Sequence, residues 1–378
     1  MKSEDISGVR TWLEIDTKAI AHNYNNFRNF ISPTSKLCGV VKSNAYGHGL
    51  AGFSKELEKL GIDYLAVDSI IEGLRLRKEE IQTPLFVLGN TLPARLREAK
   101  ENSIEITVST FELLEEIVKT KTGNPLKIHI KVDTGMLRQG FRLNQKEKLL
   151  EFLEDHKESF EITGLYTHFA SPYQSDKGST EKQLHEFGEW RAAFAQKGFY
   201  PMVHTSMTNA TLMFPETHFD MCRIGIGIYG LWSSEETKNY LGDRFSLTPV
   251  LSWKTRIAEL KEGKKYEGVG YDLTETLTRD STVAVCPVGY WHGYARSLSS
   301  KGEMLVRGKR AKVLGRVSMD MVVIDVTGIE GACVGDEVVI VGTQEGERVN
   351  IEEVAQREGT IPHETMTRIN PLIKKVYV

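Results

Sequence analysis

Two textures divide the sequence and predict an α/β protein with an N-terminal (β/α)8 TIM barrel followed by a C-terminal mostly-β domain. Up to about residue 230, eight β-rich runs alternate with longer charged segments of helical period, as parallel strands joined by helices do. After about residue 245, strand-like runs follow one another with Gly, Asp and Asn at the turns, as in a sheet domain. Eight alternating units fit a closed barrel. An open doubly wound sheet would read alike, because closure leaves no mark in the pattern.

The elements are taken in chain order. RTWLEIDTKAIAHNYNNFR (10–28) is a short strand leading into a helix. The eight barrel strands are expected at 37–42, 62–67, 84–88, 104–108, 126–132, 161–168, 202–206 and 221–227. Between them FSKELEKLG, IIEGLRLRKEE, TLPARLREAK, TFELLEEIVKT and EKQLHEFGEWRAAFAQKG carry apolar residues at helical spacing. VLSWKTRIAEL, STVAVCPVG, EMLVRG, RAKVLGRVSMDMVVIDV and DEVVIVG read as strands of the second domain, with NIEEVAQREG as its helix. The barrel is assigned to residues 1–240 and the β domain to 241–378, with residues 1–15 a candidate to pair with the β domain.

The bulk numbers exclude several classes. A net charge of −3 gives no basic field for nucleic acid. No apolar run approaches the roughly 18–20 residues of a membrane span, and the start, MKSEDISGVR, lacks a signal-peptide core. Cys38, Cys222, Cys286 and Cys333 are far apart and show no metal-ligand spacing. The composition fits a protein of the reducing cytosol with thiols free.

Reactive groups of a barrel sit at the C-terminal ends of its strands. That rule gathers Lys42, Lys131, Asp133, Arg138, His168, His204, Ser206, Thr208 and Arg223 with Gly225, Gly227 and Gly230. Each alone has a bland reading: a solvated lysine, a hydrogen-bonded histidine, a surface arginine. Their convergence on one mouth makes the difference. GIGIYG (225–230) matches G-x-G-x-x-G, but it comes last in the barrel and opens no helix, so a nicotinamide fingerprint is a poor fit. A glycine turn with hydroxyls such as Thr208 and Tyr46 can hold one phosphate group instead. A lysine amine beside a phosphate cradle is what pyridoxal 5′-phosphate requires: the amine condenses with the aldehyde and the phosphate anchors it. The attacking amine must be neutral, which burial and cations such as Arg223 favour.

VVKSNAYGHG resembles the cofactor-lysine signature of alanine racemases, and KVDTGMLRQG, LYTHFAS, HTSMTNAT, RIGIGIYGL, GVGYDLT, PVGYWHGYARSL and GRVSMDM resemble the family's other blocks in order, from Thr11 to Val378. The resemblance implies a fold-type III pyridoxal-phosphate racemase, a head-to-tail homodimer with active sites shared between subunits, and a small-molecule amino-acid substrate. It implies Lys42 as cofactor lysine and as the base on one face of the substrate. Tyr271 would be the base on the other face, supplied by the partner chain. It further implies Arg223 at the ring nitrogen and Arg138 near the cofactor phenolate and substrate carboxylate. Lys131 matches a lysine that is often carbamylated and steadies that arginine. His168 would lie near Tyr271; Tyr46, Thr208, Gly225 and Ile226 would hold the phosphate; Met319 and Tyr290 would line the substrate pocket. Two bases flanking Cα can remove a proton from one face and return it to the other.

Some positions depart from the family pattern. IPHETMTRINPLIKK places His363 where a Tyr is usual, and Pro371 and Leu372 where a Tyr precedes an Arg; GYWHG places Trp291 and His292 where Ala-Asp is usual. SPYQSD likewise replaces an Ala-Asp pair. These positions map to the channel into the family's site, so a serine or broad-specificity racemase stays open beside the alanine enzyme. A fold-type III decarboxylase would want an acid at the ring nitrogen and a cysteine near the site. A non-catalytic pyridoxal-phosphate-binding protein would lack the β domain carrying Tyr271.

Overall fold

A computed structural model of the 378-residue chain describes residues 6–120 and 125–378. The chain divides into two compact units. One comprises residues 18–45 and 50–249; the other comprises the chain up to Thr17, residues 46–49 and residues 250–378.

The first unit is a barrel of eight parallel strands, Lys36–Val40, Tyr64–Val67, Leu85–Val87, Ile104–Val108, Leu126–Lys131, Phe160–Tyr166, Met202–His204 and Met221–Ile224. Seven neighbouring pairs are ladder-bonded, with one register shift between Ile128 and His129. The last gap closes through a parallel bridge between Met207 and Arg223 and a hydrogen bond from Asp220 N to Val203 O. This closure rules out the open sheet. The strands are buried on both faces, which is why they read as apolar runs rather than alternating ones. Helices cover the outside, including Leu50–Lys59, Ile70–Lys78, Phe111–Lys119 and Lys177–Gln196. Ser69 and Thr110 cap two of them by accepting from the backbone N–H of Glu72 and Leu113.

The strand ends differ from expectation at the places that matter. The first strand stops at Val40, not at Lys42. Lys42 opens a turn in which Ser43, Asn44 and Ala45 all take left-handed backbone angles, with φ of 54°, 57° and 52°. Such angles cost L-residues about 1–2 kcal/mol each. Asn44, the residue type best suited to them, repays part of this by accepting from Leu50 N at 3.0 Å. The sixth strand ends at Tyr166, so His168 lies in the loop beyond. The eighth ends at Ile224, and Ile226–Tyr229 forms a single 3-10 turn.

The second unit is a mixed sheet. Thr11–Ile15 runs antiparallel to Leu251–Arg256 and parallel to Lys374–Tyr377. The run 250–260 breaks into Leu251–Arg256 and Glu259–Gly263, and the run 310–326 breaks into Lys309–Leu314 and Val322–Asp325. The helices Ile351–Glu358 and Pro362–Thr367 complete the unit. Gly47 belongs here: its φ is +89° and a Cβ would lie 2.3 Å from Met366 O, so no other residue fits.

Candidate active site

The chemistry of the barrel is built around Arg223. It is 2% exposed and sits on the last strand. Its Nη1 donates to His204 Nδ1 at 2.6 Å and to His204 O at 2.8 Å; its Nη2 donates to Thr167 O and Thr205 O. Among the described residues, these four bonds all leave from the terminal nitrogens, so Nε–H is the donor left over. The guanidinium lies over the ring of Tyr166, 5.1 Å from its centroid, and that ring stacks on His204 at 4.6 Å. Every partner of Arg223 is neutral.

Lys131, at the end of the fifth strand, donates to Gln139 Oε1 at 2.9 Å and also lies over Tyr166. Burial, then the charges of Arg138, Arg223 and Lys42, push its amine down to about 7. The same cations, after burial, hold His168 well below the usual histidine value, so its ring is neutral at pH 7. Arg138 stands exposed at the end of a turn shaped by Asp133, whose Oδ1 accepts from the backbone of Gly135, Met136 and Leu137. Lys42 pairs with Asp68 at 3.5 Å. The barrel thus brings Lys42, Lys131, Arg138, His168, His204 and Arg223 within electrostatic reach of one another, with cations in excess.

Beside them lies the glycine turn. Thr208 Oγ1 accepts from Gly225 N at 3.0 Å and from Gly227 N at 3.4 Å. A Cβ on Gly227 would fall 2.5 Å from Phe27 Cζ and 2.8 Å from Thr208 Cγ2. Ile226 is buried within the turn. The Tyr229 hydroxyl donates to Val40 O at 2.8 Å, tying the turn to the strand that leads into Lys42, and the two strands pair in register through Gly39 and Ile224.

The family model for the alanine racemase N-terminal domain matches residues 15–233, and that for the alanine racemase C-terminal domain matches residues 250–377. The chain belongs to the alanine racemase family. Alanine racemase 2 of Oceanobacillus iheyensis is 37% identical over 97% of this chain and 93% of its own length. The alanine racemase of Methanococcus maripaludis is also 37% identical, over 97% and 98%. The crystal structure of the Bacillus anthracis alanine racemase with bound L-Ala-P superposes with a TM-score of 0.92 at 35% identity, covering 98% of this chain and 95% of that one.

The remaining candidate residues of this alanine racemase family member lie in the second unit. Tyr271 is 69% exposed, in a turn where Asp272 and Leu273 have positive φ and Asp272 pairs with Arg316 at 3.1 Å. Tyr290 and Met319 are brought together: Tyr290 N donates to Ser318 O and Trp291 N to Met319 O. His292 Nδ1 accepts from Gly289 N at 3.2 Å and lies 4.0 Å from Asp320. Tyr46 faces His363, ring centroids 5.9 Å apart. Leu372 is exposed and Pro371 O accepts from Lys375 Nζ.

Three residues that join this cluster escaped the sequence reading: Asp68, paired with Lys42, and Glu105 and His129, which hydrogen-bond in series to His204. Only a carboxylate just after the second strand and polar residues inside IEITV and LKIHIK could have signalled them.

Proposed function

We propose that the protein is an alanine racemase that interconverts L-alanine and D-alanine with pyridoxal 5′-phosphate. The observation that carries this is a lysine and a glycine turn placed at one end of adjacent paired strands, near Arg223 and Lys131, whose hydrogen-bond partners are neutral. That donor set fits an anionic aldehyde. The turn at Gly225 and Ile226 with Thr208, whose hydroxyl accepts from the Gly225 and Gly227 amides and so keeps its own proton to donate, suits a phosphate, joined by Tyr46; Arg223 Nε–H suits a ring nitrogen that stays unprotonated; Lys42 suits the aldehyde. When bound, the cofactor acidifies the Cα proton of an attached amino acid.

Everything else falls to this chain. Lys42 holds or releases a proton on one face of Cα. Tyr271, exposed on its own subunit, serves the other face of a partner's site in a homodimer. A phenol with an unperturbed pKa near 10 needs help to act near pH 7, and neutral His168 is suited to take its proton. Arg138 receives the substrate carboxylate. Met319 and Tyr290 bound the space for the methyl group. Lys131, neutral more readily than a usual lysine, is open to carbamylation, which would turn a repelling amine into an anion beside Arg138. A cytosolic location accords with four free cysteines. Trp291, His292 and His363, at the positions that depart from the family, are where a wider substrate range would arise.

The reading is tested by incubating the protein and pyridoxal phosphate with L-alanine, L-serine and L-lysine and measuring enantiomers by chiral chromatography. D-alanine forming fastest is expected. Product from serine or lysine but not alanine would move the assignment to another racemase.

A further inference from the structure

Arg223 is a buried cation whose counter-charge lies deeper in the barrel. Its Nη1 meets His204 Nδ1 at 2.6 Å. His204 Nε2 meets His129 Nδ1 at 2.9 Å, and His129 Nε2 meets Glu105 Oε2 at 2.7 Å. Both histidines are fully buried and Glu105 is 5% exposed. The four residues come from four strands, Ile104–Val108, Leu126–Lys131, Met202–His204 and Met221–Ile224. Glu105 is near the start of its strand and His204 ends its own, so the series climbs the barrel interior toward the mouth.

The two ends fix the protons between them. A guanidinium only donates and a carboxylate only accepts. With one proton on each imidazole, all three contacts are satisfied in a single way: both protons on Nε2, both Nδ1 atoms accepting. A proton on His204 Nδ1 would set N–H against the N–H of Arg223. A second proton on His129 would donate to His204 Nε2 and force the same clash. The frame is rigid. Thr163 Oγ1 donates to Glu105 Oε2 at 2.7 Å and the Tyr64 hydroxyl to Oε1 at 3.3 Å. Phe86 stacks on His129 at 4.6 Å and Tyr166 on His204, while the Tyr166 hydroxyl pairs with Thr107.

We infer that Glu105, His129 and His204 form a one-way hydrogen-bond relay that positions Arg223, with Glu105 as its remote counter-ion. All three are positioning residues, since each acts through Arg223, and the inference rests on the reading of Arg223 as the partner of the cofactor ring nitrogen. The arrangement solves a conflict. A carboxylate in contact with the guanidinium at the mouth could also reach the ring nitrogen and protonate it. A carboxylate three hydrogen bonds away balances the charge and leaves the mouth free of acid.

The test begins with ¹⁵N-histidine-labelled protein free of cofactor, near pH 7.5. The relay predicts that His129 and His204 each show a protonated Nε2 and a bare Nδ1. An imidazolium or an Nδ1–H on either ring would overturn it. Glu105→Gln then keeps the shape and an acceptor but removes the charge. Expected are displaced ¹⁵N resonances of both histidines and a fall in kcat for alanine of roughly tenfold or more, as when an outer carboxylate that orients a histidine is lost, with KM within about twofold. Wild-type kcat in a folded Glu105→Gln protein would overturn the proposal. If the wild type does not racemise alanine, the cofactor reading fails, while the resonances still decide the relay.

Discussion

Lys42 Nζ stands 3.5 Å from Asp68 Oδ1, in an ion pair open to solvent on both sides. Asp68 stands just beyond the strand Tyr64–Val67, which pairs with the strand Lys36–Val40 that leads to Lys42. With Asp133 it puts negative charge at a mouth where cations are in excess.

Asp68 should therefore slow capture of pyridoxal phosphate, by engaging the amine and repelling the phosphate. Asp68→Asn is expected to bind the cofactor severalfold faster, since an exposed pair is worth about 0–1 kcal/mol. Stopped-flow absorbance of cofactor added to cofactor-free protein measures this. Slower capture would mean that Asp68 orients Lys42 rather than restraining it.

Lys131 gives the cofactor-free protein a pH-dependent stability. Its amine is held at about 7, against 10.5 for an ordinary lysine. Between those values the unfolded chain binds a proton that the folded chain does not, so stability rises as pH increases from about 7 to 10.5. Below 7 the full penalty is present, on the order of a few kcal/mol. Lys131→Met should raise the urea midpoint at pH 7 and flatten its climb toward pH 10. His168 and His204, both held well below 6.5, add a separate loss of stability as pH falls through that value, and the Met variant should keep it. An equal slope in both proteins above pH 7 would contradict the assignment.

The left-handed turn after Lys42 stores strain that glycine would release. Ser43 has φ 54° and ψ 50°. Ser43→Gly should stabilise the protein by about 0.5–1 kcal/mol, the relieved strain less the glycine entropy cost. Denaturant midpoints decide it, and a loss of stability would show that the serine side chain holds the turn.

The proposed phosphate cradle depends on a bare backbone at Gly227. An added methyl would press on Phe27 and Thr208. Gly227→Ala should cost about 1–3 kcal/mol by overpacking and weaken cofactor binding by displacing Thr208. Wild-type affinity, measured by titration against cofactor absorbance, would remove Gly227 from the cradle.

The fold was legible in the sequence because a parallel barrel buries both faces of its strands, so each strand is an apolar run bounded by polar helix starts. Strand ends were less legible. The run to Lys42 looks continuous, yet Ser43 to Tyr46 adopt positive φ, which no propensity announces. Pro362–Thr367 and Lys374–Tyr377 were missed as too short to show a period. Lys42, Arg138, His168 and Arg223 were singled out by the rule that barrels place chemistry at strand ends, and the fold brings them near one another. Glu105 and His129 were not, because they lie within strands and only closure of the barrel brings Glu105, His129, His204 and Arg223 into line. Asp68 gave no signal in the sequence; only the fold sets it beside Lys42.

The central claim is that Lys42 and Tyr271 serve opposite faces of one substrate carbon. The most direct measurement is α-proton exchange by the Tyr271→Phe protein in D₂O, followed by NMR on L-alanine and on D-alanine separately. The variant should bind cofactor as the wild type does, exchange the α-proton of one enantiomer, and lose exchange of the other by orders of magnitude. Equal exchange of both enantiomers at wild-type rate would contradict the two-base account.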